Sequence, residues 1–175
     1  MREKLNMQYY GDPVLREVCE PVDTFDDDLR EFAESMIETM REEQGIGLAA
    51  PQVGSRTRLI VALQMKDVDD IDAPPIILVN PRVMSRSRET WTFDEGCLSI
   101  PGVSAPVIRP KEVEVEYQDL NGERKTVKDD HIFGRIMLHE IDHLNGVLFV
   151  DYLSSAQKSL IKSRLKKLSE TKHLF

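Results

Sequence analysis

The sequence predicts a single domain of the α+β class, and three observations predict it. Apolar residues recur at helical spacing in three separated stretches, beginning near Phe25, Ile136 and Ile161. Between the first two lie short apolar runs of strand length, such as Leu59 to Leu63 and Ile76 to Val79. An Asn121-Gly122 pair then marks a tight hairpin. At 175 residues the chain is long enough to bury a sizeable core, and no stretch reads as a linker or repeat. The expected organisation is one domain over 1–175, with a body at 1–153 and a basic C-terminal helix at 154–175.

Each element follows from local chemistry. Residues 24–43 read as a helix, with Phe25, Leu29, Phe32, Met36 and Met40 on one face. Thr24 with Asp26 to Asp28 suits its start, because carboxylates favour the positive end of the helix dipole. Gly45 and Gly47 end it and open the loop GIGLAAPQVG, from Gly45 to Gly54. Thr57 to Gln64 and Pro75 to Asn80 read as strands. Val113, Val115 and Tyr117 alternate with acids, the pattern of a half-exposed strand, and Asn121-Gly122 leads to a partner at Lys125 to Val127. From about Asp130 the period becomes helical and runs to about Asn145, with Gly146 as the stop. Val147 to Val150 reads as a short strand. Ser154 and Gln157 form a capping-box pattern, after which Ile161, Leu165 and Leu168 make an apolar stripe on a basic helix.

Charge and composition exclude several classes. The chain carries 31 acids and 23 bases, a net −8, which argues against a general nucleic-acid binder with a basic face. The charge is uneven: residues 154–175 hold six bases and one acid (+5), and the remainder holds 17 bases and 30 acids (−13). No apolar run is long enough to span a bilayer, and MREKLNMQYYGDPVLRE lacks a signal-peptide core, so a soluble cytoplasmic protein is expected. Two cysteines, Cys19 and Cys97, make no disulfide scaffold, but either suits a metal ligand or a nucleophile.

The most informative segment is His139-Glu140-Ile141-Asp142-His143. Two histidines four apart lie one turn from each other on a helix, so their imidazoles can converge on one metal ion. Glu140, beside the first ligand, reaches water at the metal without ligating it. Ile136, Leu138, Ile141 and Leu144 make this helix apolar on several sides, which favours burial over a surface helix with chance histidines. One protease class would complete the site with a third histidine, but Phe149 stands there. Another takes a downstream glutamate, and Glu170 on the basic tail is the only acid after Asp151. The better candidate lies upstream in EGCLSIPG, residues 95–102. Cys97 in isolation reads as a buried small hydrophobe; beside two ligands that lack a third it reads as a ligand. A His2Cys set leaves a fourth position for water and by itself suggests zinc. Glu140 would take the water's proton and deliver it to a leaving amine, and Gln52 in the Gly-rich loop is a candidate donor to the developing oxyanion. That loop is not a phosphate loop, since no Gly-Lys-Ser/Thr follows.

Together, GIGLAAPQVG at 45–54, EGCLSIPG at 95–102 and HEIDHLNG at 139–146 resemble the peptide deformylases in identity, order and spacing. YGDPVLR at 10–16 and Pro21-Val22 extend the resemblance over nearly the whole chain. The resemblance implies antiparallel and mixed strands surrounding a central metal-ligand helix, plus a C-terminal helix. It implies a hydrolase that removes the formyl group from the N-terminal formylmethionine of newly synthesised polypeptides and releases formate, a metal-bound water attacking the formyl carbonyl. Cys97, His139 and His143 match the family's metal ligands, Glu140 its general acid/base, and Gln52 with the backbone N–H of Leu98 its oxyanion donors. The implied metal is Fe2+, with Zn2+, Ni2+ or Co2+ substituting, and a ferrous thiolate site is expected to be oxygen-sensitive. The peptide is expected to lie extended against strand backbone, with Gly45 and Gly47 allowing close approach and the methionine side chain in an apolar pocket that includes Ile46 and Ile136. Formylated nascent chain ends are thus the expected partners, with no membrane and no free nucleic acid. Some members carry an arginine a few residues after EGCLS; here the stretch is Val103-Ser104-Ala105, so that contact does not carry over. The first arginine is Arg109, expected to brace Glu95.

The tail resembles the C-terminal helix of longer-tailed bacterial members, some of which dock on the ribosome near the peptide exit. A basic amphipathic helix suits an RNA-rich surface, while its apolar stripe can pack on the body. The competing reading is a metallopeptidase of the HExxH type that cuts internal peptide bonds, and the third ligand discriminates the two. A closed structural metal site would want a second cysteine in the cluster; Cys19 is the only other one and reads as packing.

Overall fold

The computed structural model describes residues 4–171, so Lys172 of the basic tail lies outside the described residues. In chain order the elements are α1 (Asp27–Glu42), β1 (Gly47–Ala49), β2 (Leu59–Leu63), β3 (Pro75–Arg86), β4 (Thr90–Gly96), β5 (Ser104–Pro110), β6 (Val113–Gln118), β7 (Arg124–Asp129), α2 (Ile132–Leu144) and α3 (Ser155–Glu170). Short 3-10 turns lie at Pro13–Arg16, Ala50–Val53 and Phe149–Tyr152.

Five strands form one sheet in the order β1-β2-β3-β6-β7, and every strand pair in it is antiparallel. The parallel component is an isolated bridge between Glu20 and Thr57. β2, Leu-Ile-Val-Ala-Leu, is buried along its whole length because α1 and α2 both pack against it. β6 buries Val113, Val115 and Tyr117 and turns its polar residues outwards, as the alternation predicts. Among the described residues β4 and β5 pair with each other alone, as a long hairpin whose tip is residues 97–103.

Several sequence expectations shift. The first helix starts at Asp27, because Asp26 accepts the Leu29 N–H at 3.0 Å while the Thr24 hydroxyl bonds Asp23 instead. β3 runs past Asn80-Pro81 rather than stopping there: Asn80 takes φ +50 and the register with β6 slips, so the chain absorbs a turn signal as a bulge. β4 is not among the expected strands, and neither is β5. Its Pro106 and Pro110 read against a strand, but it pairs on one side only, where proline is tolerated. Val147 to Val150 is not a strand: the chain turns at Phe149–Tyr152 and Asp151 accepts the Leu148 N–H at 2.9 Å. The apolar run there reflects burial of Leu148, Phe149 and Val150.

The apolar side chains collect in two clusters. The larger lies between the sheet, α1 and α2; the smaller joins Leu15, Ile100, Val107 and Phe149, and Ile161, Leu165 and Leu168 of α3 pack on it together with Cys97. The capping box at Ser154 and Gln157 forms as expected, with bonds of 3.2 and 2.9 Å. Cys19 is buried in the larger cluster. Among the described residues no helix is long and apolar enough to cross a membrane.

α2 is nearly all buried, yet its N-cap residue His131 makes no side-chain cap bond. Asp129 does that work from two residues upstream, its Oδ2 accepting the N–H groups of Gly134 at 2.7 Å and His131 at 2.9 Å. Asp129→Ala is therefore expected to cost about 1–2 kcal/mol in a urea titration, the usual loss of a helix cap. The exposed neighbour Asp130→Ala should leave the midpoint unmoved.

Candidate metal centre

α2 is the scaffold of the site. Its period stacks Arg135, His139 and His143 along one row and Ile132, Ile136 and Glu140 along the next. The β4–β5 hairpin brings its tip against these rows. Cys97 Sγ lies 3.3 Å from His143 Nε2, and the donor atoms of Cys97, His139 and His143 all lie within 4.8 Å of one another. The two imidazoles meet edge to face, 5.1 Å apart.

A buried ion network sets the His139 ring. Glu95, 6% exposed, meets His139 Nδ1 at 2.8 Å through Oε1. It also accepts from Arg109 Nε at 2.6 Å, Arg109 Nη2 at 2.9 Å and Arg135 Nη1 at 2.6 Å. Arg109 reaches on to Asp142 at 2.8 Å, which Tyr152 bonds at 2.8 Å. Burial pushes the Glu95 carboxyl up, but the bonds from His139 and Arg109 outweigh it and hold it at about 2. Its folded value lies below the usual 4.5, so its stabilisation is complete above that pH and is lost as the pH falls from 4.5 towards 2. With Nδ1 tied to Glu95, His139 has Nε2 left as its ligand atom. Burial opposes a charge on His139 while Cys97 and Glu95 favour it and win; burial and the neighbouring His139 push His143 well down.

Glu140 and Gln52 are held beside the donors. Burial pushes Glu140 up to about 7, and its Oε2 has no protein partner. A Cβ on Gly47 would stand 2.5 Å from Glu140 Oε1 and 2.9 Å from Ile136 Cγ2, so only glycine fits there. Gln52 accepts the Ala49 N–H at 2.9 Å, which fixes its amide and turns Nε2 to Cys97 Sγ at 3.4 Å and Ser99 Oγ at 3.2 Å. Leu98 follows Cys97 in a turn closed from Ile100 N–H to Cys97 O at 2.9 Å, in which its own N–H takes no part.

These groups open onto one cavity of about 430 Å³. Gly45, Ile46, Gly47, Gln52, Cys97, Leu98, Ile136, His139 and Glu140 all line it, while His143 sits behind. Arg109 pairs with Glu95 as expected. Sequence reasoning missed Arg135, which lines the cavity, donates to Glu95 and stacks over Trp91 at 4.6 Å. Its signal was available: it stands four residues before His139. It also missed Asp142, inside the histidine motif, as the second anchor of Arg109.

The donors fit a metal ion. Two imidazoles and a thiol turn towards one another inside the protein, a mixed N/S set of the kind borderline divalent metals take. The alternative third ligands are elsewhere: Glu170 is exposed on α3 beside Lys166, and Phe149 stacks on His139 at 6.1 Å. A family model described as polypeptide deformylase matches residues 4–159. The chain belongs to this family. It is 43% identical over 161 residues to the peptide deformylase of Rhizobium meliloti, covering 92% of this chain and 91% of that one. It is similar to a plant peptide deformylase structure, with a TM-score of 0.90, 36% identity and coverage of 98% and 92%. It is also similar to the peptide deformylase of Thermotoga maritima, with a TM-score of 0.80, 39% identity and coverage of 87% and 99%. Deformylases are metal-dependent hydrolases that remove the formyl group from the N-terminal methionine of nascent polypeptides, and this is the activity of the chain. Cleavage of internal peptide bonds is not favoured.

The deformylase network makes a sharp demand on Arg109. Removing it leaves the buried Glu95 short of a partner and cuts Asp142 loose. Arg109→Ala is expected to cost about 3–5 kcal/mol in urea unfolding, the loss seen when one member of a buried ion pair is removed. Metal analysis of the same variant should find less metal per chain, because Glu95, which orients the His139 ring, loses two of the bonds that hold it.

Proposed function

We propose that Cys97, His139 and His143 together hold one divalent ion, Fe2+ in the native protein with Zn2+, Ni2+ or Co2+ able to replace it, and that Glu140 is the general acid and base of deformylation. The observation that carries this reading is Glu140 itself: adjacent to His139, buried, pushed up to about 7 and with Oε2 free of protein partners. When bound, the ion supplies a Lewis acid that polarises the formyl carbonyl and lowers the pKa of water towards neutrality. Glu140, poised near neutral pH, accepts the proton of the attacking water and passes it to the amine as the C–N bond breaks and formate leaves. Gln52 Nε2 and the Leu98 N–H donate to the formyl oxygen as it gains charge. Both donors are fixed before substrate arrives, Gln52 by Ala49 and Leu98 by its turn, so little reorganisation accompanies the reaction.

The substrate lies extended. Among the described residues β1 and β4 each pair on one side only, and residues next to both line the cavity, so a peptide placed there gains backbone bonds on either flank. Gly45 and Gly47 let it approach, and Ile46 and Ile136, with Ile132 and Phe93, offer the apolar surface for the methionine side chain. The protein works in the cytoplasm as one domain, body 1–153 and tail 154–175, and its tail contacts the ribosome. Lys158, Lys162 and Lys166, exposed at four-residue spacing on α3, give that helix a basic face separate from its apolar stripe.

The decisive measurement is formate release from formyl-Met-Ala-Ser under anaerobic conditions with Fe2+. Glu140→Gln should lower it by roughly 10²–10⁴-fold, the usual worth of a general base, with metal content unchanged. Release that survives the change would overturn the assignment. Ribosome contact has its own test: Lys158→Glu, Lys162→Glu and Lys166→Glu combined should abolish co-sedimentation with ribosomes while turnover of the short peptide persists.

A further inference from the structure

The loop that bears Cys97 and Leu98 is held differently from the helix it faces. β4 ends at Gly96 and β5 starts at Ser104, so residues 97–103 lie outside strand pairing. Within the loop, Ile100 N–H bonds Cys97 O at 2.9 Å and Val103 N–H bonds Ile100 O at 3.3 Å. From elsewhere in the sequence it is pinned at Ser99, whose carbonyl accepts the Tyr10 N–H at 2.9 Å and whose hydroxyl meets Gln52 at 3.2 Å. Its far end is pinned by α3: Arg164 Nε and Nη2 both donate to Pro101 O at 3.2 Å.

Ile100 and Val103 anchor the loop in the smaller apolar cluster, and between them the Pro101 carbonyl is held by Arg164. A groove of about 1010 Å³ runs along the outer side of Cys97, Leu98 and Pro101, walled by the N-terminal segment at Leu5 and by Arg164 and Leu168 of α3. Arg164 crosses this groove as a strut. The loop is shaped to receive it: Gly102 has φ +73, and a Cβ there would stand 2.8 Å from Arg164 Nη2. Leu165, the next residue, packs on the same apolar cluster as Cys97, so the height of Arg164 along the loop is set by apolar packing. Arg164 lies beyond residues 4–159, the stretch the family model matches.

We propose that Arg164 is a positioning residue of the active site, which by holding Pro101 O sets the Cys97 sulfur and the Leu98 N–H against α2. The C-terminal helix is thereby part of the catalytic apparatus as well as an external face. This rests on the reading that Cys97 ligates the metal and Leu98 donates to the oxyanion.

The test uses the full chain loaded with Co2+, comparing wild type with Arg164→Met, which keeps the stem without donors, and Arg164→Lys, which restores one donor. In Arg164→Met, Co2+ loss to a chelator should quicken about tenfold, the lower end for residues that orient ligands. Its thiolate-to-cobalt absorption should shift, and kcat on formyl-Met-Ala-Ser should fall about tenfold with KM within about twofold, as for a misplaced catalytic group. Arg164→Lys should recover most of each change. If Arg164→Met loses α3 by circular dichroism, Arg164→Gln, a good helix former whose amide is too short to reach Pro101 O, should give the same changes. Chelator loss and kcat within about twofold of wild type, with an unmoved cobalt spectrum, would overturn the proposal in either variant. A wild-type spectrum with no thiolate band would instead overturn the ligand reading, and the proposal with it.

Discussion

Glu95 is a carboxylate with almost no access to water, and it stays ionised because Arg109, Arg135 and His139 all bond to it. A lone buried charge of this kind would cost several kcal/mol. Meeting that demand ties together the parts of the molecule that make the site. Glu95 stands at the end of β4, Arg109 on β5, and Arg135 and His139 on α2. The same bonds that neutralise the carboxylate therefore dock the hairpin on the helix, choose the His139 ring nitrogen left for a metal, and bring Cys97, two residues on from Glu95, to His143.

The site lies on the seam between the two apolar clusters. α2 belongs to the larger one, and Cys97 packs with the smaller. A seam suits a hydrolase, because one side can be rigid and buried while the other is a loop whose backbone N–H remains available. Glu140 illustrates the buried side. Its high pKa is a consequence of packing, with Gly47 and Ile136 pressed close around it. Leu98 illustrates the other, its N–H left free by a small turn, and the buried Gln52 faces it with an amide fixed by the Ala49 backbone.

Much of this was legible in the sequence, and the pattern of what was not is physical. Helix α2, the β6–β7 hairpin and the Ser154 capping box were readable because their signals are local: a period, an Asn-Gly turn, a side chain reaching three residues along. β5 was not, because its prolines argue against a strand and only an unpaired edge excuses them. Residues 147–150 misled for the converse reason: an apolar run records burial, and a 3-10 turn can be buried as well as a strand. In the site, the nine cavity-lining residues singled out from the sequence do meet at one cavity, whereas Arg135 and Asp142 escaped notice because the groups they bond on the β4–β5 hairpin, Glu95 and Arg109, lie more than thirty residues away.

The sequence by itself determined that two imidazoles share a face of one buried helix, with a carboxylate on the neighbouring row, since helical geometry alone places residues four apart together and adjacent ones on adjoining rows. It also carried the family, through three motifs whose order no local argument explains. Only the tertiary structure decided which residues surround them: that Glu95 orients His139, that burial raises Glu140 to about 7, and that Arg164 of the last helix grips the loop of Cys97. Those outcomes depend on dielectric and on distances across the fold, and neither is written in the spacing of residues along a chain.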